Sequence, residues 1–158
     1  MTEETAATTE QQKFELQKVY LKDVSLETPN SPGIFSEKWS PQFNLQINAG
    51  SKSLADKVYE VVLTVTVTAK LGDKTAYLAE LQQAGMFSLD GFGQEQLGQM
   101  LGAYCPNTLF PYAREAIDAM LVKGGFPPLH LSPVNFDVLY LQHIKAQKER
   151  RQTNPTTH

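Results

Sequence analysis

The stretch 58-VYEVVLTVTVTAKL-71 decides the fold. Tyr59, Val61, Leu63, Val65, Val67, Ala69 and Leu71 share one parity, while Val62, Thr64, Thr66, Thr68 and Lys70 make up most of the other. Successive side chains on a strand point to opposite faces, so this pattern gives one dry face and one rich in hydroxyls. So high a density of β-branched residues disfavours a helix. Gly72-Asp73-Lys74 then offers a turn, and residues 75–87 offer a returning strand. The span 58–87 therefore reads as an antiparallel hairpin.

Upstream, residues 42–49 alternate cleanly. Phe43, Leu45 and Ile47 point one way, Gln42, Asn44, Gln46 and Asn48 the other, and Gly50-Ser51 is expected to end the strand. Farther out, 14–28 is less regular. Phe14, Leu16, Tyr20, Val24 and Leu26 share one parity, yet Val19 and Leu21 lie on the other, which implies a bulge or burial on both sides. The segment 28-TPNSPG-33 breaks that strand. Residues 29–41 form a long connection holding Phe35 and Trp39, and long loops with large aromatics are more often functional than mere linkers.

Downstream, the period changes to helical. Residues 94–103 are compatible with a short helix, and Cys105-Pro106-Asn107 is read as the start of a longer one. Its apolar residues Leu109, Ala113, Ala116, Ile117, Met120 and Leu121 recur at helical spacing, and this helix is expected at a subunit interface. Gly124-Gly125 stops it. A last helix over about 133–149 is apolar on two sides, with Phe136, Leu139, Tyr140 and Ile144 on one and Val134, Val138 and Leu141 on another. Such a helix needs two contact surfaces, the second being another subunit or a ligand. Strands followed by helices give an α+β class rather than an alternating α/β one.

At 158 residues and 17.6 kDa the chain is one domain's worth, able to bury about two-thirds of its unfolded surface. The expected organisation is a disordered segment at 1–13, one domain at 14–149 and a disordered tail at 150–158. The polar start shows no apolar signal-peptide core, and no apolar run approaches a membrane span. A single cysteine excludes an internal disulfide framework, and with three histidines makes a poor donor set for zinc. The body is mildly acidic, which argues against nucleic-acid binding. Residues 145–158 are basic, with Lys145, Lys148, Arg150 and Arg151 against Glu149.

Little in the chain points to catalysis. No spacing couples Cys105 to His130, His143 or Asp137 as a nucleophile set, and His130 in 127-PPLHLSP-133 reads as a structural histidine. The Gly-x-Gly in 91-GFGQEQLG-98 misses both the dinucleotide and the phosphate-loop patterns. What stands out is Phe35, Trp39, Phe87, Leu89 and Phe92 in apparently irregular segments. As a set, beside an alternating strand and a two-sided helix, they suggest an apolar groove. A small α+β ligand-binding domain or enzyme with an apolar pocket is the alternative to a protein that binds other chains there.

Four stretches carry a resemblance to a known family: 19-VYLKDVSLETPNSPGIF-35, 58-VYEVVLTVTVTA-69, 101-LGAYCPNTLFPYARE-115 and 127-PPLHLSPVNFDVLYL-141. The chain resembles the SecB family of bacterial protein-export chaperones over about 14–144. The resemblance implies an α+β fold with a four-stranded antiparallel sheet and helices on one face. It implies a homotetramer built as a dimer of dimers. It implies a cytoplasmic holdase, without ATPase activity, cofactor or metal, that binds unfolded precursors of secreted proteins in apolar grooves and delivers them to the translocation ATPase SecA. It also implies that the zinc-containing C-terminal tail of SecA docks on an acidic sheet face, the positions falling on Asp23, Glu27 and Glu80. The groove positions fall on Trp39, Phe43, Leu45, Ile47, Tyr140 and Ile144. Strand parity alone puts Asp23 and Glu27 on one side, and Phe43, Leu45 and Ile47 on one side. The basic residues Lys148, Arg150 and Arg151 depart from the polar, often acidic tail expected of the family.

Overall fold

The computed structural model describes residues 11–153. Four strands, β1 (Lys13–Glu27), β2 (Gln42–Ala55), β3 (Val58–Leu71) and β4 (Lys74–Asp90), form one antiparallel sheet in the order β1-β4-β3-β2. The helical half follows as α1 (Gln94–Gln99), a π-helical turn (Met100–Tyr104), α2 (Cys105–Lys123) and α3 (Phe136–Thr153). β1 and β2 are thus consecutive in sequence but occupy opposite edges. Residues 28–41 carry the chain between them past the β3–β4 turn, where Asn30 donates to the Thr75 carbonyl (2.9 Å) and Lys74 pairs with Glu37 (2.6 Å). This crossing segment holds a 3-10 turn at Gly33–Ser36, a cis Ser31–Pro32 bond and the buried Ile34.

β3 alternates as its sequence requires. Val61, Leu63, Val65, Val67 and Ala69 are fully buried, while Val62, Thr64, Thr66 and Thr68 are only half-buried on the other face. Against the dry face lies α2, whose Leu109, Ala113, Ile117 and Leu121 are fully buried. The apolar stripe expected at a subunit interface is therefore the chain's own core; of it, Met120 is only partly buried. All helices lie on this side, leaving the opposite face of the sheet free of them.

Several expected boundaries shift, each for a visible reason. β2 does not end at Gly50-Ser51 but continues to Ala55, because Gly50, Ser51 and Lys52 pair in register with Val62, Val61 and Glu60. The β2–β3 turn is made at Asp56-Lys57, with Lys57 at φ 60. Pro106 does sit in the first turn of α2, which begins at Cys105, but that start is not a free helix end. Helical backbone runs from α1 through the π-turn into α2. A proline cannot donate to the carbonyl four residues back and crowds it, so the helix widens into a π-turn just before it. Gly124-Gly125 does end α2: Gly125 takes φ 88 and the Phe126 amide returns to the Leu121 carbonyl at 3.0 Å. Phe87 and Leu89, read as irregular, are core residues of β4. α3 continues through Thr153, so 150–153, expected in the disordered tail, are helical, and Lys13, expected in the disordered start, is in β1. Of the rest, Gln11 and Gln12 have no regular structure, and 1–10 and 154–158 lie outside the described residues.

β1 explains its own mixed parity. Its register with β4 shifts between Leu16 and Lys18 and again between Leu21 and Asp23. Each extra residue flips the parity of the residues after it. Phe14 and Leu16, then Val19 and Leu21, then Val24 and Leu26 consequently all point to the helix side, opposite Leu89, Phe87, Gly85, Gln83, Leu81 and Ala79.

Because Ile117 fills the layer between α2 and the sheet, Ile117→Ala should cost about 2–5 kcal/mol by the usual scale of buried Ile truncation. Equilibrium denaturant unfolding measures this; a loss below about 1 kcal/mol would place α2 outside the cooperative core.

Candidate functional site

Two surfaces attract attention. On the helix side, edge strand β2 presents Phe43 (48% exposed), Leu45 (44%) and the partly buried Ile47. Register aligns Phe43 with Ala69 of β3 and, beyond it, Tyr77 of β4. Tyr77 stacks on Trp39 (centroids 6.4 Å, planes 26° apart), and Phe126 packs on both at 5.0 and 5.6 Å, with Phe35 5.3 Å from Phe126. At this end the apolar strip meets an aromatic cluster. The Tyr77 hydroxyl has no partner among the described residues, and burial pushes its pKa up to about 12. At the other end, Ile47, Tyr140 and Ile144 line a cleft of about 690 Å3 between β2 and α3, with Gly98, Leu101, Gly102 and Leu139.

The six groove residues expected from sequence thus sort along one strip: Trp39 at the aromatic end, Phe43 and Leu45 between, and Ile47, Tyr140 and Ile144 in the cleft. Sequence reading missed Tyr77 and Phe126, which look like ordinary core residues, and Gly98 and Gly102. Those two glycines are one helical turn apart. A Cβ on Gly98 would lie 2.7 Å from the Tyr140 hydroxyl oxygen, and one on Gly102 2.3 Å from its ring. Tyr140 therefore fits a notch that only glycine leaves open. α3 is otherwise lightly held. Phe136 is its one buried side chain, packed on Phe110 at 5.8 Å, while Val138, Leu139 and Leu141 stay exposed. Of the second apolar side expected for this helix, Val134 lies before α3 and packs on the core, while Val138 and Leu141 are open to water.

The helix-free face carries the acidic residues. Asp23 stands opposite Gln82, Ser25 opposite Glu80, and Glu27 opposite Leu78. Glu80 is therefore the diagonal neighbour of both Asp23 and Glu27. All three are exposed, and none pairs with a cation among the described residues. Half-exposed Leu78 lies beside them. On the same face Glu60 is 7% exposed and accepts from Lys22 Nζ at 2.8 Å and from the Tyr20 hydroxyl. Those hydrogen bonds, the one from Lys22 first, hold its carboxyl below the usual carboxylate range.

The groups considered for catalysis are scattered. Cys105 is fully buried, and desolvation pushes its thiol up to about 12, so it stays protonated at neutral pH. His130 is no core residue: its ring is exposed, its backbone sits at φ 49, and Nδ1 lies 3.3 Å from Asp118 Oδ2. Asp118 also accepts the Leu129 and His130 amides, at 2.8 and 3.2 Å. His143 faces Gln147 on α3 at 3.0 Å. Among the described residues no three His, Cys, Asp or Glu gather in a way that could hold a metal ion, and no helix is long and apolar enough to cross a membrane.

The family model described as preprotein translocase subunit SecB matches residues 7–147. The chain belongs to the SecB family. It is 54% identical to the protein-export protein SecB of Nitrosococcus oceani, over 96% of this chain and 91% of that one. With the protein of the same name from Hahella chejuensis it shares 53% identity, over 94% and 93% of the two chains. Among solved structures it resembles a Mycobacterium tuberculosis SecB-like chaperone in complex with a peptide from an antitoxin, with a TM-score of 0.65 at 15% identity, covering 77% of this chain and 90% of that one. That likeness carries the fold, and membership of the family makes the chain a protein-export chaperone.

Two outcomes test the site's construction. In Gly102→Ala the new methyl should dislodge Tyr140, and amide exchange should quicken across α3 while the sheet is unaffected; unchanged exchange would mean that the notch does not hold the helix. Glu60 ionises more readily folded than unfolded, so its contribution to stability is full above the unfolded carboxyl pKa of about 4.3 and fades as pH falls through the lower folded value. Glu60→Gln should therefore lose more melting temperature at pH 7 than at pH 3; equal losses would show that the charge contributes nothing.

Proposed function

We propose that the chain is an ATP-independent holdase with no catalytic step, working in the cytoplasm. In this reading it keeps precursors of secreted proteins unfolded by holding them along the strip formed by Trp39, Phe43, Leu45, Ile47, Tyr140 and Ile144. The observation that carries the reading is the half-exposed apolar edge of β2. Phe43 and Leu45 sit on the dry side of the sheet yet remain open to water. An edge strand also offers main-chain donors and acceptors, which any extended client matches irrespective of sequence. Many weak contacts along a strip suit a flexible client, whose ordering entropy a single deep pocket would not offset.

The same reading gives Asp23, Glu27 and Glu80 to the zinc-containing C-terminal tail of SecA, to which the client is delivered. It also takes the active form as a homotetramer, a dimer of dimers. Supporting the assembly are apolar residues left open by the single chain. Leu21 and Val24, 49% and 44% exposed, lie on the helix side of edge strand β1, and α2 exposes Tyr112 and Val122. Sedimentation at micromolar concentration should return about four chain masses, and a clean monomer would sink the assembly.

Leu45→Asp decides between groove and core. Leu45 already meets water, so the variant should keep its melting temperature within a few degrees. It should bind an unfolded precursor about tenfold more weakly, equivalent to ~1.4 kcal/mol. Calorimetry beside thermal unfolding on one sample measures both. A variant that unfolds, while its folded fraction still captures clients normally, would assign Leu45 to the core. On the other face, Glu80→Lys should weaken SecA binding about fivefold or more in low salt, since single exposed pairs contribute up to about 1 kcal/mol. Normal binding of that variant would remove the acidic face from the reading.

A further inference from the structure

The second register shift of β1 falls between Leu21 and Asp23 and leaves Lys22 as the extra residue. Side chains from three other strands converge on this place. Glu60 of β3, nearly buried, takes hydrogen bonds from Lys22 Nζ at 2.8 Å and from the Tyr20 hydroxyl, and Lys52 of β2 lies 3.9 Å from the same carboxylate. From the helix side, the buried Gln83 of β4 donates through Nε2 to the Tyr20 carbonyl at 3.1 Å. A bulge seated on a nearly buried, charged acceptor is tightly specified, because removing one donor leaves Glu60 short of a hydrogen bond where little water reaches it.

The bulge also decides where the acidic face is. Without the extra residue, Asp23, Ser25 and Glu27 would keep the parity of Leu21 and turn to the helix side, away from Glu80. We infer that Tyr20, Lys22 and Glu60 are positioning residues for the partner-binding face, locking the bulge that sets Asp23 and Glu27 beside Glu80. The inference rests on the reading of that face as the SecA docking surface. None of the three needs to touch the partner for the role.

The sign of one substitution separates this role from simple charge. Lys22→Met removes a positive charge next to the acidic residues. Charge alone predicts that a cationic tail then binds as well or better. Loss of the lock predicts the reverse, about fivefold weaker binding, the equivalent of one exposed ion pair at its upper value. The probe is purified SecA, titrated calorimetrically in low salt against the full-length chaperone. Client capture serves as control, with Lys22→Arg expected to restore binding. Faster amide exchange at residues 21–24 should accompany the loss. If Lys22→Met assembles poorly, Tyr20→Phe takes its place, keeps every charge and should weaken SecA in the same direction. Undiminished SecA binding by the folded variant overturns the inference. The companion variant Glu80→Lys keeps the two failures apart. Weakened Glu80→Lys with undiminished Lys22→Met sinks the positioning role alone, whereas undiminished Glu80→Lys sinks the docking face and the inference with it.

Discussion

The apolar residues of β1, a strand of fifteen, change parity along the chain, and β1 gathers them on one face only by interrupting its own alternation. Two extra residues, Gln17 and Lys22, convert a spacing that changes parity twice into six apolar side chains on one side. Beside it, β3 and β4 supply the buried surface on which α2 packs, and Gly98 of α1 with Gly102 of the π-turn seats Tyr140 of α3. The opposite face, kept clear of helices, can then stay charged and wet. A slip of one residue in β1 would turn Asp23 and Glu27 to the helix side and Val24 and Leu26 to the acidic face.

The sheet also separates two kinds of surface that conflict if mixed. An apolar strip open to water attracts any unfolded chain, including another copy. Here the strip runs along edge strand β2, while the acidic residues occupy β1 and β4 on the other side. In the proposed reading, occupation of one leaves the other geometrically free, so a partner could recognise the chaperone while the client is still held. The crossing segment 28–41 feeds the strip from its far end. It brings Trp39 onto Tyr77 and Phe126, so that aromatic surface continues where the strand begins.

How much of this was legible in the sequence depended on how local each determinant is. β3 was plain because alternation is a property of consecutive residues. The apolar face of Phe43, Leu45 and Ile47 was legible for the same reason. The far half of β2 was not, because Gly50-Ser51 looks like a turn until Val61 and Val62 supply partners across the ladder. In α2 the stripe Leu109, Ala113, Ile117 was correctly periodic, but a period cannot say whether its partner is the same chain or another. The mixed parity of β1 announced a bulge without locating it. Parity put Asp23 and Glu27 together; only the register with β4 adds Glu80. Glu60 was invisible as a keystone, since in 58-VYEVV-62 it reads as the polar step of an alternating strand. Tyr77 and Phe126 entered the aromatic cluster through tertiary packing alone.

In the proposed reading, release without a nucleotide is a matter of mass action. Contacts along the strip are individually weak, because each apolar side chain there is already partly solvated in the empty protein and gains only the remainder of its burial from a client. A held chain can leave segment by segment, each segment re-forming or not according to what else is nearby. A second protein brought close by the acidic face, as proposed, would raise the local concentration of a competing acceptor without altering the strip. No conformational work has to cross the sheet. The β3 side chains that would transmit it, Val61, Leu63, Val65, Val67 and Ala69, are fully buried and close-packed, and so are better suited to holding the two faces apart than to coupling them.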